Sequence, residues 1–272
     1  MMRSLRRGVA IAAAAAGLLW VGACVALLLA RHDIIYAFVD GYDASRAPPG
    51  LTVTRIPAAD GTPLLIWVSP PEMGQPTILY FTGNGGYLRS ARTRLRALAE
   101  AGFGVVAMNY RGAGSMPGTP SEPAIISDAE VVYDWVRETY PGPLPGLFGS
   151  SLGAAVAVQV AARREVSAVV LEAPFARLCE VGEVHYAYVP VCFILPDNRW
   201  ASVDRIAEID APLLVLHGGA DQVIPISQAE KLFEAGREPK RFNRYPRGGH
   251  DDLERRGAVR DLVEWLQAPG SG

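Results

Sequence analysis

The fold is decided by the stretch Leu147-Phe148-Gly149-Ser150-Ser151-Leu152-Gly153-Ala154-Ala155. The stretch begins as an apolar strand, turns sharply at a serine and continues as an alanine-rich helix. Gly149 and Gly153 flank Ser151 in a G-x-S-x-G pattern, because side chains there would collide where a strand reverses directly into a helix. The pattern predicts a serine hydroxyl held above a sheet edge. A serine that only caps a helix would fit the same letters, so the rest of the chain has to distinguish the two.

The composition fits one large globular domain with a short apolar appendage. The chain has 272 residues, of which 50% are hydrophobic and 20% charged, enough to bury a sizeable core. Its formal net charge of −2 argues against a nucleic-acid partner, since phosphate-binding surfaces carry a basic excess. The cysteines Cys24, Cys179 and Cys192 form no C-x-x-C pair and no Cys/His cluster with zinc spacing. We therefore expect neither a structural metal nor a cofactor.

The N-terminal segment predicts a single transmembrane signal anchor. Residues 9–30 carry no charge and would form a helix about 33 Å long, enough to cross a hydrocarbon core. Residues 1–8 contain three arginines, whereas a mixed-sign cluster follows at residues 31–33. This asymmetry predicts a cytoplasmic N-terminus, followed by a linker over residues 31–50 and an extracytoplasmic domain, which would be periplasmic in a bacterium.

Two alternatives to a retained anchor stay open. A cleaved signal peptide would have a shorter apolar run and a clean A-x-A site. A lipoprotein signal is suggested by Val21-Gly22-Ala23-Cys24, which resembles a bacterial lipobox, although the apolar run continues to residue 30. All three interpretations place the domain outside the cytoplasm and beside a membrane.

Strand and helix patterns alternate along residues 51–268, which we take as the globular domain. Residues 51–56 and 64–68 are joined across Asp60-Gly61 and predict a hairpin. Further strands are predicted at residues 77–81, 105–108, 144–148, 166–171, 213–216 and 241–245, and helices at residues 90–101, 125–140, 152–163, 228–235 and 259–266. The alternation predicts an α/β fold with a mostly parallel central sheet, helices on both faces and the hairpin at its start.

One segment, residues 174–210, interrupts this alternation. It is rich in aromatic residues and prolines and contains Cys179 and Cys192. An insertion after a strand, on the side where active sites form, predicts a small cap. In an extracytoplasmic domain the two cysteines could form a disulfide, and two buried free thiols are the alternative.

An activated serine needs a base, and the chain offers four histidines. His32 lies at the edge of the apolar segment, and His185 lies in the predicted cap, facing either substrate or solvent. His217 ends a strand, where a structural hydrogen bond is expected. His250 follows Pro246-Arg247-Gly248-Gly249 in the loop between the last strand and the last helix, so we assign it as the base.

The base needs an acid to orient it, and two carboxylates qualify. Asp221 follows the end of the strand at residues 213–216, and Glu172 lies at another strand end. We choose Asp221, because the order Ser151, Asp221, His250 is that of an α/β-hydrolase triad. Asp251 and Asp252, next to the base, are interpreted as charges at a helix N-terminus.

An oxyanion hole requires two backbone N–H groups aimed at the developing charge. Leu152, directly after the serine, supplies one at a helix N-terminus. We assign the other to Asn84, within Gly83-Asn84-Gly85-Gly86, because glycines let the backbone approach a substrate. A phosphate-binding loop is the alternative interpretation, but no G-K-[ST] follows.

At this point the chain resembles the α/β-hydrolase superfamily, in its membrane-anchored, bud-emergence-like (Bem-like) branch, which is similar to depalmitoylating thioesterases. The resemblance runs from about Leu51 to the C-terminus. It is carried by Phe81-Thr82-Gly83-Asn84-Gly85-Gly86, Asn109-Tyr110-Arg111-Gly112, Pro120-Ser121-Glu122, Gly149-Ser150-Ser151-Leu152-Gly153, Leu216-His217-Gly218 through Asp221, and Gly249-His250. The family usually has histidine before the Gly-Asn of the oxyanion loop, and here Thr82 stands there.

Two classes of function are consistent with these features. The first is a serine hydrolase that cleaves carboxylic esters or thioesters through an acyl-serine, with a small or lipid-like acyl substrate and the membrane as partners. The second is a membrane-tethered binding or scaffold protein that keeps the fold without turnover. A peptidase or acyltransferase using the same triad is also open, since a fold does not fix a function. The oligomeric state is not predicted.

Overall fold

The computed structural model describes residues 2–39, 43–114, 116–195 and 199–268. Two predicted segments fall partly outside this range: the linker at residues 40–42 and the cap at residues 196–198. A central sheet of eight strands organises the domain. The strands are β1 Thr52–Pro57, β2 Pro63–Ser69, β3 Thr77–Phe81, β4 Gly104–Met108, β5 Gly146–Ser150, β6 Val169–Glu172, β7 Leu213–Gly218 and β8 Lys240–Tyr245.

The sheet order is β1-β2-β4-β3-β5-β6-β7-β8. β1 pairs antiparallel with β2, and β2 pairs antiparallel with β4, whereas all further pairs are parallel. This arrangement confirms the predicted α/β-hydrolase architecture, with a mostly parallel sheet and the hairpin at one edge. Because β3 and β5 to β8 run the same way, the loops at their carboxyl ends meet along one edge of the sheet.

Helices cover both faces of the sheet, as predicted. They are α1 Met2–Ile35, α2 Arg92–Glu100, α3 Glu122–Thr139, α4 Leu152–Ala161, α5 Leu178–His185, α6 Val191–Ile194, α7 Ile226–Ala235 and α8 Ala258–Gln267. One buried cluster lies under α2 and α8, and a second lies under α3, α4, α7 and the cap. Strands β3, β4, β6 and β7 are buried throughout, as expected for parallel strands covered on both faces.

Helix α1 continues past the uncharged segment and packs on the domain. Ile35 and Tyr36 are buried in the core, and the ring of His32 lies 3.1 Å from the carbonyl oxygen of Pro120 through its Nε2. The linker predicted to begin at residue 31 therefore begins only after Ile35. Apolar packing against the domain keeps the last turn helical, although it follows a charged cluster.

The cap carries a disulfide. Cys179 in α5 is bonded to Cys192 in α6, so of the two alternatives left by the sequence the structure has the bridge and not the free thiols. Cys24 in α1 is a free cysteine. The disulfide ties the two cap helices to each other beside the carboxyl edge of the sheet.

Candidate active site

The turn between β5 and α4 is the strained elbow that its sequence predicts. A Cβ on Gly149 would overlap the carbonyl of Gly153, and a Cβ on Gly153 would overlap the carbonyl of Phe81. Ser151 itself has a positive φ of 53°, a conformation that non-glycine residues adopt only when the surroundings impose it. Its N–H donates to the carbonyl of Glu172 at 2.8 Å, which fixes the turn to the end of β6.

The three residues predicted as a triad come together at this turn. Nε2 of His250 lies 3.2 Å from Oγ of Ser151, and Nδ1 lies 2.8 Å from Oδ2 of Asp221. Oδ1 of Asp221 accepts from the N–H groups of Val223 and Ile224 at 2.8 and 2.9 Å. Each contact is within hydrogen-bonding range, and the geometry is that of a nucleophile, a base and an orienting acid.

Two backbone hydrogen bonds join the loops that carry the base and the acid. The N–H of Gly219 donates to the carbonyl of Tyr245, and the N–H of Ala220 donates to the carbonyl of Gly248, both at 2.8 Å. The His250 loop is also closed by Asp252, whose Oδ1 accepts from the N–H of Gly249 at 2.7 Å. The relative position of His250 and Asp221 is therefore set by main-chain contacts as well as by their own hydrogen bond.

The surroundings of Asp221 and His250 favour an ionised carboxylate on Asp221 and a raised pKa for the imidazole of His250. Burial opposes protonation of His250, but the hydrogen bond to Asp221 and the charges of Asp221, Asp251 and Glu172 outweigh it and raise the pKa of His250. Burial would raise the pKa of Asp221, yet His250 and the backbone donors hold that pKa below its usual value. An ionised Asp221 beside His250 favours the protonated form of this imidazole.

The rival acid, Glu172, is engaged elsewhere. Its two carboxylate oxygens accept from Nη2 and Nε of Arg94 at 2.7 and 3.1 Å, and both side chains are buried. Nη1 of Arg94 also donates to Glu254 at 3.1 Å. A bidentate ion pair of this kind holds the carboxylate in a fixed place beneath the elbow, away from the Nδ1 of His250.

The two residues predicted to form the oxyanion hole, Asn84 and Leu152, line the same pocket as Ser151. Leu152 begins α4, so its N–H belongs to the free first turn of a helix. The loop after β3 lies close to the serine, because a Cβ added to Gly83 would lie 3.4 Å from the Cβ of Ser151. The carbonyl of Thr82 accepts from Oη of Tyr110 at 2.6 Å. This hydrogen bond from Tyr110 holds the backbone of the loop after β3 in place.

An apolar pocket of about 230 Å³ opens at Ser151. Its walls come from the cap, from the loops after β6 and β7, and from the C-terminal end of α1. The residues from α1 are Leu27, Arg31, Ile34 and Ile35, and those from the cap include Leu178, Val181 and Leu195. The four α1 positions share one face of the helix, because they are spaced i, i+4, i+7 and i+8.

A second, polar pocket of about 550 Å³ shares Asn84, Ser151 and Val223 with the first. It is lined by charged and hydroxylic side chains, among them Ser90, Arg94, Glu172, Glu254 and Arg255. Ser151 therefore lies where an apolar space and a polar space join. This arrangement can accommodate a molecule with one apolar end and one polar end.

The remaining histidines have other positions. His217 is fully buried, with Nδ1 2.9 Å from the carbonyl oxygen of Gly218, which is the structural contact expected from its strand end. His185 lies on the wall of the apolar pocket, with Nε2 2.8 Å from the carbonyl oxygen of Val223. Within the part of the chain that the structure describes, no group of three His, Cys, Asp or Glu side chains is arranged to hold a metal ion.

Sequence reasoning missed two parts of this site. The pairing of Arg94 with Glu172 joins residues 78 positions apart, and no local pattern marks it. The contribution of α1 to the apolar pocket had a weak signal: Ile34 and Ile35 continue the apolar face of Leu27 beyond the charged cluster. The helical spacing of these residues would have shown that they lie on one face of α1, but not what this face packs against.

Comparison with known proteins agrees with the fold. A family model described as alpha/beta hydrolase fold matches residues 76–191. An uncharacterized protein of Mycobacterium tuberculosis is 40% identical over 217 residues, which cover 78% of this chain and 76% of that protein. The lysophosphatidylserine lipase ABHD12 of Danio rerio is 33% identical over 193 residues, covering 63% of this chain and half (50%) of that protein.

Among solved structures, an esterase of Pyrococcus furiosus superposes with a TM-score of 0.66 at 19% sequence identity. The match covers 80% of this chain and 90% of the esterase. At this level of identity the likeness bears on the fold alone.

Proposed function

Because this chain belongs to the α/β-hydrolase family, we propose that it is a serine hydrolase that cleaves carboxylic esters or thioesters through an acyl-serine intermediate. The observation that carries the proposal is the unbroken series of contacts from Asp221 through His250 to Ser151, with Ser151 at the mouth of an apolar pocket. A scaffold protein would have no need of a strained elbow with its hydroxyl aligned on a base.

In the proposed acylation, Oγ of Ser151 attacks the carbonyl carbon of the substrate while Nε2 of His250 takes the hydroxyl proton. The negative charge on the carbonyl oxygen is stabilised by the N–H groups of Leu152 and Asn84, each worth about 3–4 kcal/mol in such sites. When the tetrahedral intermediate collapses, the imidazolium returns the proton to the leaving alcohol or thiol. The acyl group stays on Ser151.

Deacylation repeats these steps with water. His250 takes a proton from the water as it attacks the acyl-serine, and the same two N–H groups hold the second oxyanion. Collapse releases the carboxylic acid and returns the proton to Oγ of Ser151. Throughout, Asp221 keeps the imidazole in one orientation and stabilises its charged form.

The two pockets support an amphiphilic acyl ester as the substrate class. The apolar pocket suits an acyl chain, and the polar pocket, with Arg94 and Arg255 among its charged groups, suits a polar leaving group. The name of the Danio rerio relative, a lysophosphatidylserine lipase, describes a substrate with this division. Lysophospholipids and long-chain acyl thioesters are therefore the first compounds to test.

We further propose that α1 is a retained signal anchor and that the domain is extracytoplasmic. Within α1, residues Arg6–Ile35 are long and apolar enough to cross a membrane, with a mean hydropathy of 2.3 over the best window. The disulfide between Cys179 and Cys192 supports an oxidising compartment. The packing of Ile35 against the domain favours retention over cleavage, because cleavage would remove part of the pocket wall.

Labelling with a fluorophosphonate probe tests the nucleophile directly. The full chain in detergent micelles should be labelled and should hydrolyse p-nitrophenyl butyrate, and Ser151→Ala should lose both properties. Ser127→Ala, a serine on α3 outside both pockets, is the matched control and should behave as wild type. Persistent labelling of Ser151→Ala would remove the assignment of the nucleophile, and an unlabelled wild-type protein would favour the scaffold interpretation.

A further inference from the structure

The cap presents a cluster of exposed apolar side chains on the side of the domain where α1 lies. Val184, Tyr186, Tyr188 and Phe193 are exposed, and Tyr188 and Phe193 keep 88% and 84% of their accessible surface. Over residues 184–195 the chain has no Asp, Glu, Lys or Arg. A contiguous patch of exposed, large apolar side chains is typical of a surface that binds a protein or a membrane.

A hydrogen bond between the cap and α1 shows which part of α1 lies beside this exposed cluster. The indole N–H of Trp20 donates to the carbonyl of Tyr188 at 2.5 Å. Trp20 precedes Arg31 by eleven residues, about 16 Å along the helix axis, and lies near the middle of the uncharged segment. A cap tip bonded to Trp20 therefore lies at the depth of the hydrocarbon core, if Arg31 marks the surface of the membrane.

The backbone of the cap tip suits such an environment. The N–H groups of Tyr186, Val189 and Leu195 donate to carbonyls within the cap at 2.8–3.0 Å, and the carbonyl of Tyr188 is taken by Trp20. Irregular chain is tolerated at membrane depth only where its polar groups find partners in the protein. The contact between Trp20 and Tyr188 supplies one of those partners from α1 itself.

The apolar pocket also extends beyond the level of Arg31, although less far than the cap tip. Leu27 lines it and lies within the uncharged segment, four residues before Arg31, or about 6 Å along the axis. The space above Ser151 thus extends from the sheet edge to the depth at which lipid acyl chains begin.

We propose that the cap is inserted into the membrane leaflet beside α1, and that the acyl chain of the substrate passes sideways from this leaflet into the pocket without crossing water. The occupant of the exposed cap surface is the lipid of that leaflet. This inference rests on the proposed membrane anchorage of α1, and it adds a membrane-binding role for the cap and a route to the serine.

Depth-dependent fluorescence quenching tests the insertion independently of activity. In a Cys24→Ala background, single cysteines at Tyr188→Cys, Leu19→Cys and Met73→Cys carry an NBD fluorophore, and the full chain is reconstituted in phosphatidylcholine vesicles. Leu19 is an exposed α1 residue next to Trp20. Met73 is fully exposed in the loop between β2 and β3, which enters β3 at its amino end. We expect lipids bearing a doxyl group on the acyl chain to quench the labels at positions 19 and 188, and iodide to quench only the label at position 73.

The other outcomes distinguish insertion of the cap from anchorage of α1 in the membrane. Quenching by doxyl lipids at position 19 but not at position 188 would overturn cap insertion and leave the anchorage intact. Quenching by doxyl lipids at neither position would overturn the anchorage and, with it, the inference.

Catalysis provides a second test of the route. The double variant Tyr188→Asp/Phe193→Asp places charge on the cap surface and leaves the pocket lining unchanged. We expect its hydrolysis of a long-chain acyl ester embedded in vesicles to fall at least tenfold, while hydrolysis of soluble p-nitrophenyl butyrate stays at the wild-type rate. Wild-type rates on both esters would contradict lateral access. A wild-type protein without activity on either ester would instead refute the proposed hydrolase, and the quenching result would still decide the insertion.

Discussion

Arg94 and Glu172 form a buried bidentate ion pair beneath the nucleophile elbow, with nitrogen-oxygen distances of 2.7 and 3.1 Å. Glu172 ends β6, and its carbonyl also accepts the N–H of Ser151. The pair therefore links helix α2 to the backbone that positions Ser151. It also explains why a carboxylate at a strand end, which looks like a triad acid in the sequence, is not in contact with the base.

Removal of one member of this pair should destabilise the domain. Among the residues that the structure describes, Glu172→Gln leaves the buried guanidinium of Arg94 paired with Glu254. Breaking a buried pair costs about 3 kcal/mol, or roughly 6–12 °C in Tm for a domain of this size. The double variant Arg94→Met/Glu172→Met removes both charges and should recover at least half of the loss. Thermal unfolding of the full chain in micelles measures both. A double variant less stable than Glu172→Gln would contradict this account.

The assignment of Asp221, and not Glu172, as the acid that orients His250 predicts a large loss of kcat in one variant and a small loss in the other. Asp221→Asn removes the charge that stabilises the imidazolium, and kcat should fall by about 10³–10⁴. Glu172→Gln, assayed below its Tm, should keep kcat within about tenfold of wild type, because Glu172 contacts Arg94 and not His250. Equal losses in the two variants would show that the assignment of the acid is wrong.

The raised pKa of His250 sets the direction of the pH dependence. The base acts in its neutral form, so kcat/KM should rise with pH through a midpoint above 6.5, the ordinary value for histidine. Glu172 is one of the charges that raise this pKa, so Glu172→Gln should move the midpoint to lower pH. A pH–rate profile between pH 5 and pH 9 with a soluble ester measures both midpoints. A wild-type midpoint below 6.5 would contradict the prediction.

Tyr110 should act on catalysis through the oxyanion loop. Tyr110→Phe deletes the hydrogen bond to the carbonyl of Thr82 and leaves that buried carbonyl unpaired, which costs about 1–3 kcal/mol. Because Asn84 follows two residues later, we expect kcat to fall about tenfold with little change in KM. Tyr133→Phe is the control, since its hydroxyl donates to the carbonyl of Glu165, remote from the site. Equal kinetic effects in the two variants would argue against a positioning role for Tyr110.

The sequence predicted those features that depend on local pattern and chain order. The elbow at Ser151 follows from steric limits on two glycines, and the juxtaposition of Ser151, Asp221 and His250 follows from the ends of parallel strands meeting at one edge. The partner of Glu172 and the role of Leu27 could not be predicted, because both depend on how distant elements pack. Arg94 lies on a helix with ordinary amphipathic spacing, and nothing in its neighbourhood distinguishes it from the other arginines of that helix.

The end of α1 should help to set the preferred acyl chain length. Leu27 is half-buried and lines the apolar pocket, so Leu27→Trp should fill part of that space. We expect kcat/KM for p-nitrophenyl palmitate to fall at least tenfold and the value for p-nitrophenyl butyrate to change less than threefold. Leu29→Trp, which adds the same bulk at a position 78% exposed, should leave both values unchanged. Parallel changes in the two variants would exclude Leu27 as a wall of the acyl site.

The disulfide should stabilise the cap more than the sheet. Cys179 and Cys192 are 13 residues apart, and closing a loop of this length stabilises the folded state by about 3 kcal/mol in the chain-entropy description. Because the loop lies wholly within the cap, Cys179→Ala/Cys192→Ala should free the cap to open locally while the sheet stays folded. Limited proteolysis with fragments read by mass spectrometry should then find cleavage between residues 180 and 195 at least tenfold faster than in wild type. Cys24→Ala is the control and should be cleaved at the wild-type rate. An equally protected cap in the double variant would show that packing against α1 and the sheet, and not the disulfide, holds the pocket wall in place.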